Sequence, residues 1–133
     1  MGLRWYSTVI NCRDPRALAH WWAETLGWQI VHEADDECVV VPAHLDIEDL
    51  RRMPWAEMPQ GLVFVPVPED KAGLNRLHLD LACHLADDRD ALIAGLVERG
   101  ASYADVGQGD DVTWTVLRDP EGNEFCVLSA REF

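Results

Sequence analysis

One arrangement of elements is written twice along this chain, and that repetition constrains the fold more than any other feature. In the first half, residues 5–11 (Trp-Tyr-Ser-Thr-Val-Ile-Asn) have the composition of a strand. Asp14-Pro15 follows, an N-cap with proline at the first helical position. Leu18, Trp21, Trp22 and Thr25 recur at helical spacing and predict one buried face, and Gly27 ends the helix as a C′ glycine. Three strands are then predicted over residues 28–33, 37–42 and 61–67, the first two joined by the turn Ala34-Asp35-Asp36. The second half repeats the order. A strand is predicted over 77–82, and Asp87 or Asp88 caps a helix whose apolar face is Leu92, Ile93, Leu96 and Val97. Gly100 ends that helix, and strands follow over 101–106, 112–117 and 124–129. Ser7 and His78 hold matching places in the two halves. The pattern predicts an α+β chain of two tandem βαβββ modules. Module one spans about residues 3–68, a linker about 69–75 and module two about 76–131, within a single domain over 1–133.

Charge excludes several partners. The chain carries 24 acidic and 11 basic residues, a net charge of −13. Phosphate-rich nucleic acids and anionic membrane surfaces need the opposite sign, so neither is an expected partner. No run approaches the roughly 18 apolar residues of a membrane span. The N-terminal residues enter a strand pattern without a signal-peptide core, which makes cytoplasmic localisation the expectation. Cys12, Cys38, Cys83 and Cys126 are spread singly, with no Cys-x-x-Cys pair, so reduced core thiols without disulfides are expected.

The segment Arg118-Asp119-Pro120-Glu121-Gly122-Asn123-Glu124-Phe125-Cys126-Val127-Leu128 reads as strand, tight turn and strand. Proline presets φ at the second turn position, and Gly122 or Asn123 takes the positive φ that reverses the chain. This hairpin, together with Asp14-Pro15 to Gly27-Trp28 and Asn75-Arg76-Leu77-His78-Leu79-Asp80-Leu81, resembles the vicinal oxygen chelate superfamily. Glyoxalase I, bleomycin-resistance proteins and extradiol dioxygenases belong to that group, and the best local match is to a glyoxalase-like subgroup. The resemblance runs from about residue 5 to 129. It implies a curved mixed sheet around a cleft in which ligands bind.

The resemblance also implies where a metal would sit. Metal-dependent members use four strand positions, usually His, Glu or Gln. Those places fall here on Ser7, on Phe64 or its neighbour Val65, on His78 and on Cys126. Phe and Val cannot ligate, and Cys126 stands where a glutamate is usual. The expectation is therefore no metal cofactor, with His78 and Cys126 the ligands if a divalent metal does bind. A third ligand is not evident in the sequence. His20, His32, His44 and His84 would serve only if the fold brought one close. Strand alternation puts His78 and Asp80 on one face, away from Leu77, Leu79 and Leu81, which read as a core face. A histidine and a carboxylate so placed can act as acid and base, or bind a polar ligand.

Six tryptophans are many for 133 residues. Most read as core or dimer contacts, and a homodimer is expected. Trp5 and Trp114 are the candidate pocket walls, beside Ser7, His78 and Cys126. Arg76 lies two residues before His78 and shares its face if the strand begins that early; there it could hold an anion. The acidic field and the rings together favour a neutral or cationic aromatic ligand. Residues 43–60 interrupt the repeat and read either as a lid or as a loop burying Trp55 and Met58, with two helical turns over residues 47–53. The leading reading is a metal-free, small-molecule-binding protein. The alternatives are a metal-dependent lyase or dioxygenase with an altered ligand set, and a scaffolding protein that uses only the fold's surface.

Overall fold

The computed structural model describes residues 2–133. The chain falls into two compact units, one ending at Asp70 and the other Lys71–Phe133.

The first unit contains β1 (Ser7–Cys12), α1 (Pro15–Leu26), β2 (Gln29–Glu33), β3 (Cys38–Val41) and β4 (Gly61–Pro66). Its four-stranded sheet has the order β1-β4-β3-β2, with β1 parallel to β4 and the other pairs antiparallel. Helix α1 begins where the sequence places it: the Asp14 carboxylate accepts from the Ala17 amide, and Pro15 costs nothing at a position whose N–H has no helical partner. It ends at Gly27, whose φ of +66° an L side chain would resist. Leu18 and Trp22 turn inward with Cys38, Val40 and Phe64, all at most 2% exposed. Trp21 meets Trp22 edge-on, with ring centroids 5.1 Å apart. These two tryptophans are core, but most of the six are not: Trp5, Trp55 and Trp114 are each at least 41% exposed.

Residues 43–60 hold a short helix α2 (Ile47–Arg52), capped by Asp46, and a 3-10 turn at Trp55–Glu57. Trp55 is not buried against the sheet; it is 41% exposed. The segment is held by Arg4. Its guanidinium lies 4.1 Å from the Trp55 ring and 4.8 Å from that of Tyr6, and its Nη1 donates to Met58 Sδ at 2.8 Å. Trp55 Nε1 in turn donates to the Gly2 carbonyl. A partly exposed cation–π contact contributes about 1 kcal/mol. Arg4→Ala is therefore expected to speed limited proteolysis within residues 43–60 by roughly fivefold with global stability nearly unchanged; unchanged cleavage would show that other contacts hold the segment.

The second unit repeats the plan with β5 (Asp80–Leu81), α3 (Arg89–Glu98), β6 (Ser102–Tyr103), β7 (Thr115–Arg118) and β8 (Glu124–Val127). Its sheet order is β5-β8-β7-β6, again with the first pair parallel. Asp88, not Asp87, caps α3 by accepting from Ala91 N; Asp87 accepts from the His84 amide instead. Arg89 pins the helix to the sheet through bonds to the Val127 and Leu128 carbonyls and to Thr115 Oγ1. The turn between β7 and β8 is organised by Asp119, whose Oδ1 accepts from the Glu121 and Asn123 amides at 2.9 and 3.0 Å, with Gly122 at φ +90°.

Several strands are shorter than the sequence pattern predicts. β5 occupies 80–81, not 77–82, because pairing to β8 starts only at Leu79, whose carbonyl accepts from Cys126 N. Leu77 is accordingly 89% exposed and not part of a core face, and Leu92 on α3 is 51% exposed, leaving Ile93 as that helix's buried residue. β6 stops at Tyr103 and β7 starts at Thr115, because the intervening loop bonds to itself: Asp105 Oδ1 accepts from Gly107 N, and Gln108 Oε1 from Val106 N.

Glu124 fixes the start of this unit. Its carboxylate, 8% exposed, accepts from Lys71 Nζ at 2.6 Å and from the Asn75 amide at 2.9 Å. Burial pushes its carboxyl up, but the bonds from Lys71 and Asn75 outweigh that, and the net value lies below the ordinary one. A carboxyl with a lowered folded-state pKa stabilises the fold above its unfolded pKa, and the contribution is lost as pH falls through the folded value. Glu124→Gln is expected to cost about 2 kcal/mol at neutral pH, less than a wholly buried pair because Lys71 keeps some solvent contact. Urea midpoints should fall more for the wild type than for the variant between about pH 6 and about pH 3. Equal acid sensitivity would refute this role.

Candidate functional site

β5 and β8 run parallel, with Asp80 the register partner of Cys126. Directly opposed residues project to the same face of a sheet, so carboxylate and thiol are neighbours. His78, two residues earlier, joins them: its Nδ1 lies 3.1 Å from Asp80 Oδ1. Ligand atoms of His78, Asp80 and Cys126 all lie within 4.8 Å of one another. His78 and Asp80 are about half exposed, whereas Cys126 is 8% exposed. On its other side Cys126 pairs with Val116 of β7, and with Ala104 these form a small apolar cluster against which Leu128 packs. The site thus has a polar, solvent-facing half and an apolar half, with a thiol at the boundary.

That position governs the thiol. Burial, then the charge of Asp80 and a hydrogen bond with it, push the Cys126 thiol above its ordinary value. Asp80→Asn removes the negative neighbour, so Cys126 should titrate lower. We expect faster alkylation of Cys126 at neutral pH in this variant, followed by mass spectrometry of its peptide; a rate no faster than wild type would contradict the electrostatic account.

The candidate residues read from the sequence divide between the two units. His78, Asp80 and Cys126 come together in the second. Arg76 is exposed in a bend before β5, so the early strand start that would put it on the face of His78 does not occur. Trp114 precedes β7 and is 41% exposed. Trp5 and Ser7 belong to the first unit. Trp5 is 68% exposed and donates to the Ser7 carbonyl at 3.2 Å. Phe64 is wholly buried. Of the spare histidines, His20 bonds Glu33 at 2.7 Å, and His84 Nδ1 accepts from Ala86 N.

The third donor that the sequence did not make evident is Asp80, not a histidine. Strand alternation already placed it beside His78. Its pairing with Cys126 depends on the register of two strands distant in sequence. Imidazole, carboxylate and thiol at this spacing fit a three-ligand divalent site, since all three are ordinary zinc ligands and three protein ligands leave one position open.

Two βαβββ units, each a mixed four-stranded sheet, define the glyoxalase/bleomycin resistance/dioxygenase fold, and solved structures agree. A family enzyme of that description from Burkholderia phytofirmans PsJN superposes with a TM-score of 0.65 at 16% identity, covering 94% of this chain and 97% of that one. The fosfomycin resistance protein FosX from Mesorhizobium loti gives 0.64 at 12% identity, covering 98% and 92%. The bleomycin-binding protein of Streptomyces verticillus, complexed with copper(II)-bleomycin, gives 0.51 at 17%, covering 98% and 97%. A comparison with proteins of curated function gives no significant match. The chain belongs to the glyoxalase-like domain family, whose sequence profile matches residues 7–128. Among the described residues, no helix is long and apolar enough to cross a membrane.

Proposed function

We propose that this protein binds a small organic molecule against the face that carries His78, Asp80 and Cys126. The observation that carries the reading is the convergence of those three side chains beside an apolar cluster, because ligand sites combine an apolar surface with a few converging polar groups. His78 and Asp80 orient the polar part of the ligand; Ala104, Val116 and Leu128 take its apolar part. The half-exposed Asp80 carboxylate and the net charge of −13 favour a neutral or cationic ligand over an anion. An aromatic one is favoured by the exposed ring of Trp114, the residue before β7. Structural neighbours named for bleomycin binding and fosfomycin resistance are consistent with a scaffold that handles small molecules.

A lyase or dioxygenase reading is the second possibility, and Asp80 is what favours it. A divalent ion held by His78, Asp80 and Cys126 would supply Lewis-acid polarisation of a ligand oxygen. Without reference to the ion, Asp80 can accept a proton from a ligand, and His78, bonded to it through Nδ1, can shuttle one at Nε2.

Amide NMR of the isotope-labelled full chain tests the binding reading. Neutral and cationic aromatic compounds should shift the signals of residues 78–81 and 126, and Asp80→Asn should weaken the hits by about tenfold, the range of a lost charged hydrogen bond. Hits confined to carboxylates or phosphates, and abolished by Arg76→Ala, would overturn it.

A further inference from the structure

We propose that Tyr6, Trp55 and Met58 form a seat for a methylated ammonium cation, and that the Arg4 guanidinium fills this seat as a displaceable occupant. The seat is built wholly from the first unit and does not depend on the reading of the His78 face.

Three observations carry it. The first is that the seat already holds a cation. The guanidinium carbon of Arg4 lies over the Trp55 ring at 4.1 Å and over the Tyr6 ring at 4.8 Å, and Nη1 donates to Met58 Sδ at 2.8 Å and to the Trp55 carbonyl at 3.5 Å. Ring faces are the negative side of the π-system and attract a cation within about 6 Å of the centroid. These partners are two rings, a thioether and one carbonyl; no carboxylate is among them. The second is misfit. Arg4 Nε is buried and has no hydrogen-bond partner among the described residues. A buried donor left unpaired carries its full desolvation cost. A quaternary ammonium keeps the positive charge and has no N–H to satisfy, so it meets rings and sulfur without that cost. The third is the difference in attachment between occupant and seat. Residues 2–6 precede β1 without regular structure, and Arg4 is the only one of them that is not exposed. The seat is tied to the sheet. β1 and β4 run parallel with Ser7 opposite Gly61, which brings Tyr6 and Met58 to adjacent strand starts, and Thr8 Oγ1 donates to Gln60 Oε1 at 3.0 Å.

Access and field agree with this reading. Even with Arg4 in place, Tyr6 is 68% and Trp55 41% exposed, so an incoming cation reaches both rings from solvent. The net charge of −13 draws cations toward the chain. An ion that takes the seat expels the Arg4 guanidinium and frees residues 2–6, and with them the bond from Trp55 Nε1 to the Gly2 carbonyl. Binding therefore exchanges an internal contact for an external one, and its apparent affinity is lowered by the fraction of time that Arg4 fills the seat.

The test titrates the isotope-labelled full chain with choline. Dimethylbutanol, its uncharged carbon analogue, and sodium chloride at equal ionic strength are the controls. The indole N–H signal of Trp55, assigned by its absence in Trp55→Phe, should shift saturably with choline and not with either control. Arg4→Ala empties the seat and should raise the affinity for choline by about fivefold. Tyr6→Leu should lower it by about fivefold, the range of one exposed ring contact. Arg13→Ala, which removes a different charge from the first unit, should leave it unchanged. Proteolysis supplies a second measurement: choline should slow cleavage within residues 43–60 of Arg4→Ala back toward the wild-type rate, and dimethylbutanol should not. An equal response to choline and dimethylbutanol, an affinity that does not rise in Arg4→Ala or does not fall in Tyr6→Leu, cleavage that choline leaves unslowed, or shifts confined to residues 78–81 and 126 would each overturn the proposal. If Trp55 responds as expected while aromatic compounds leave residues 78–81 unmoved, this inference stands and the reading of the His78 face falls.

Discussion

The geometry that reaches the site starts at one carboxylate. Asp119 is 3% exposed and accepts from two backbone amides and the Asn123 side chain in the turn between β7 and β8. With its acceptor capacity used inside the turn, the carboxylate can be buried at low cost and permits one register only. That register sets Val116 opposite Cys126, and β8 then sets Cys126 opposite Asp80. Side chains alternate along a strand, so a slip of one residue would send the sulfur to the other face and take the site apart. A turn several residues away therefore decides whether His78, Asp80 and Cys126 meet.

Electrostatics narrows what the cluster can do. A nucleophilic cysteine needs a basic or cationic neighbour that favours the thiolate. Cys126 has a carboxylate and apolar side chains instead, and its thiol is held protonated. Covalent catalysis by this sulfur is disfavoured, and a contact role for the neutral thiol is favoured. Two further carboxylates nearby do structural work: Asp119 in the turn and Glu124 beneath Lys71. Of the three, Asp80, about half exposed, is the one left facing solvent.

Much of this was legible in the sequence, and what was not has a common cause. Both long helices, their Asp caps and the final turn follow from local signals, and α1, α3 and β8 lie where those signals put them. The resemblance named the family correctly. The second-half strands were overextended because alternating Leu77, Leu79 and Leu81 look like a core face. Leu77 is exposed, since whether a strand continues depends on a partner, not on its own pattern. Asp80 was recognised as sharing a face with His78 but not as a third donor. Its adjacency to Cys126 comes from parallel pairing between segments more than forty residues apart, which no local spacing encodes. The role of residues 43–60 was open for a similar reason: the contact that holds Trp55 comes from Arg4.

Parallel pairing has a consequence for how the molecule is made. In each unit the first strand hydrogen-bonds only to the last: Ser7–Cys12 to Gly61–Pro66, and Asp80–Leu81 to Glu124–Val127. Neither unit can complete its sheet until its final strand has been synthesised and has returned to its first, and loops of that length close slowly. During translation the first unit has all its strands once Pro66 has left the ribosome, while β5 waits for β8 with the leucine-rich stretch around it unpaired. The unpaired backbone edge of β5 is thus covered only with the emergence of the same short strand that brings Cys126.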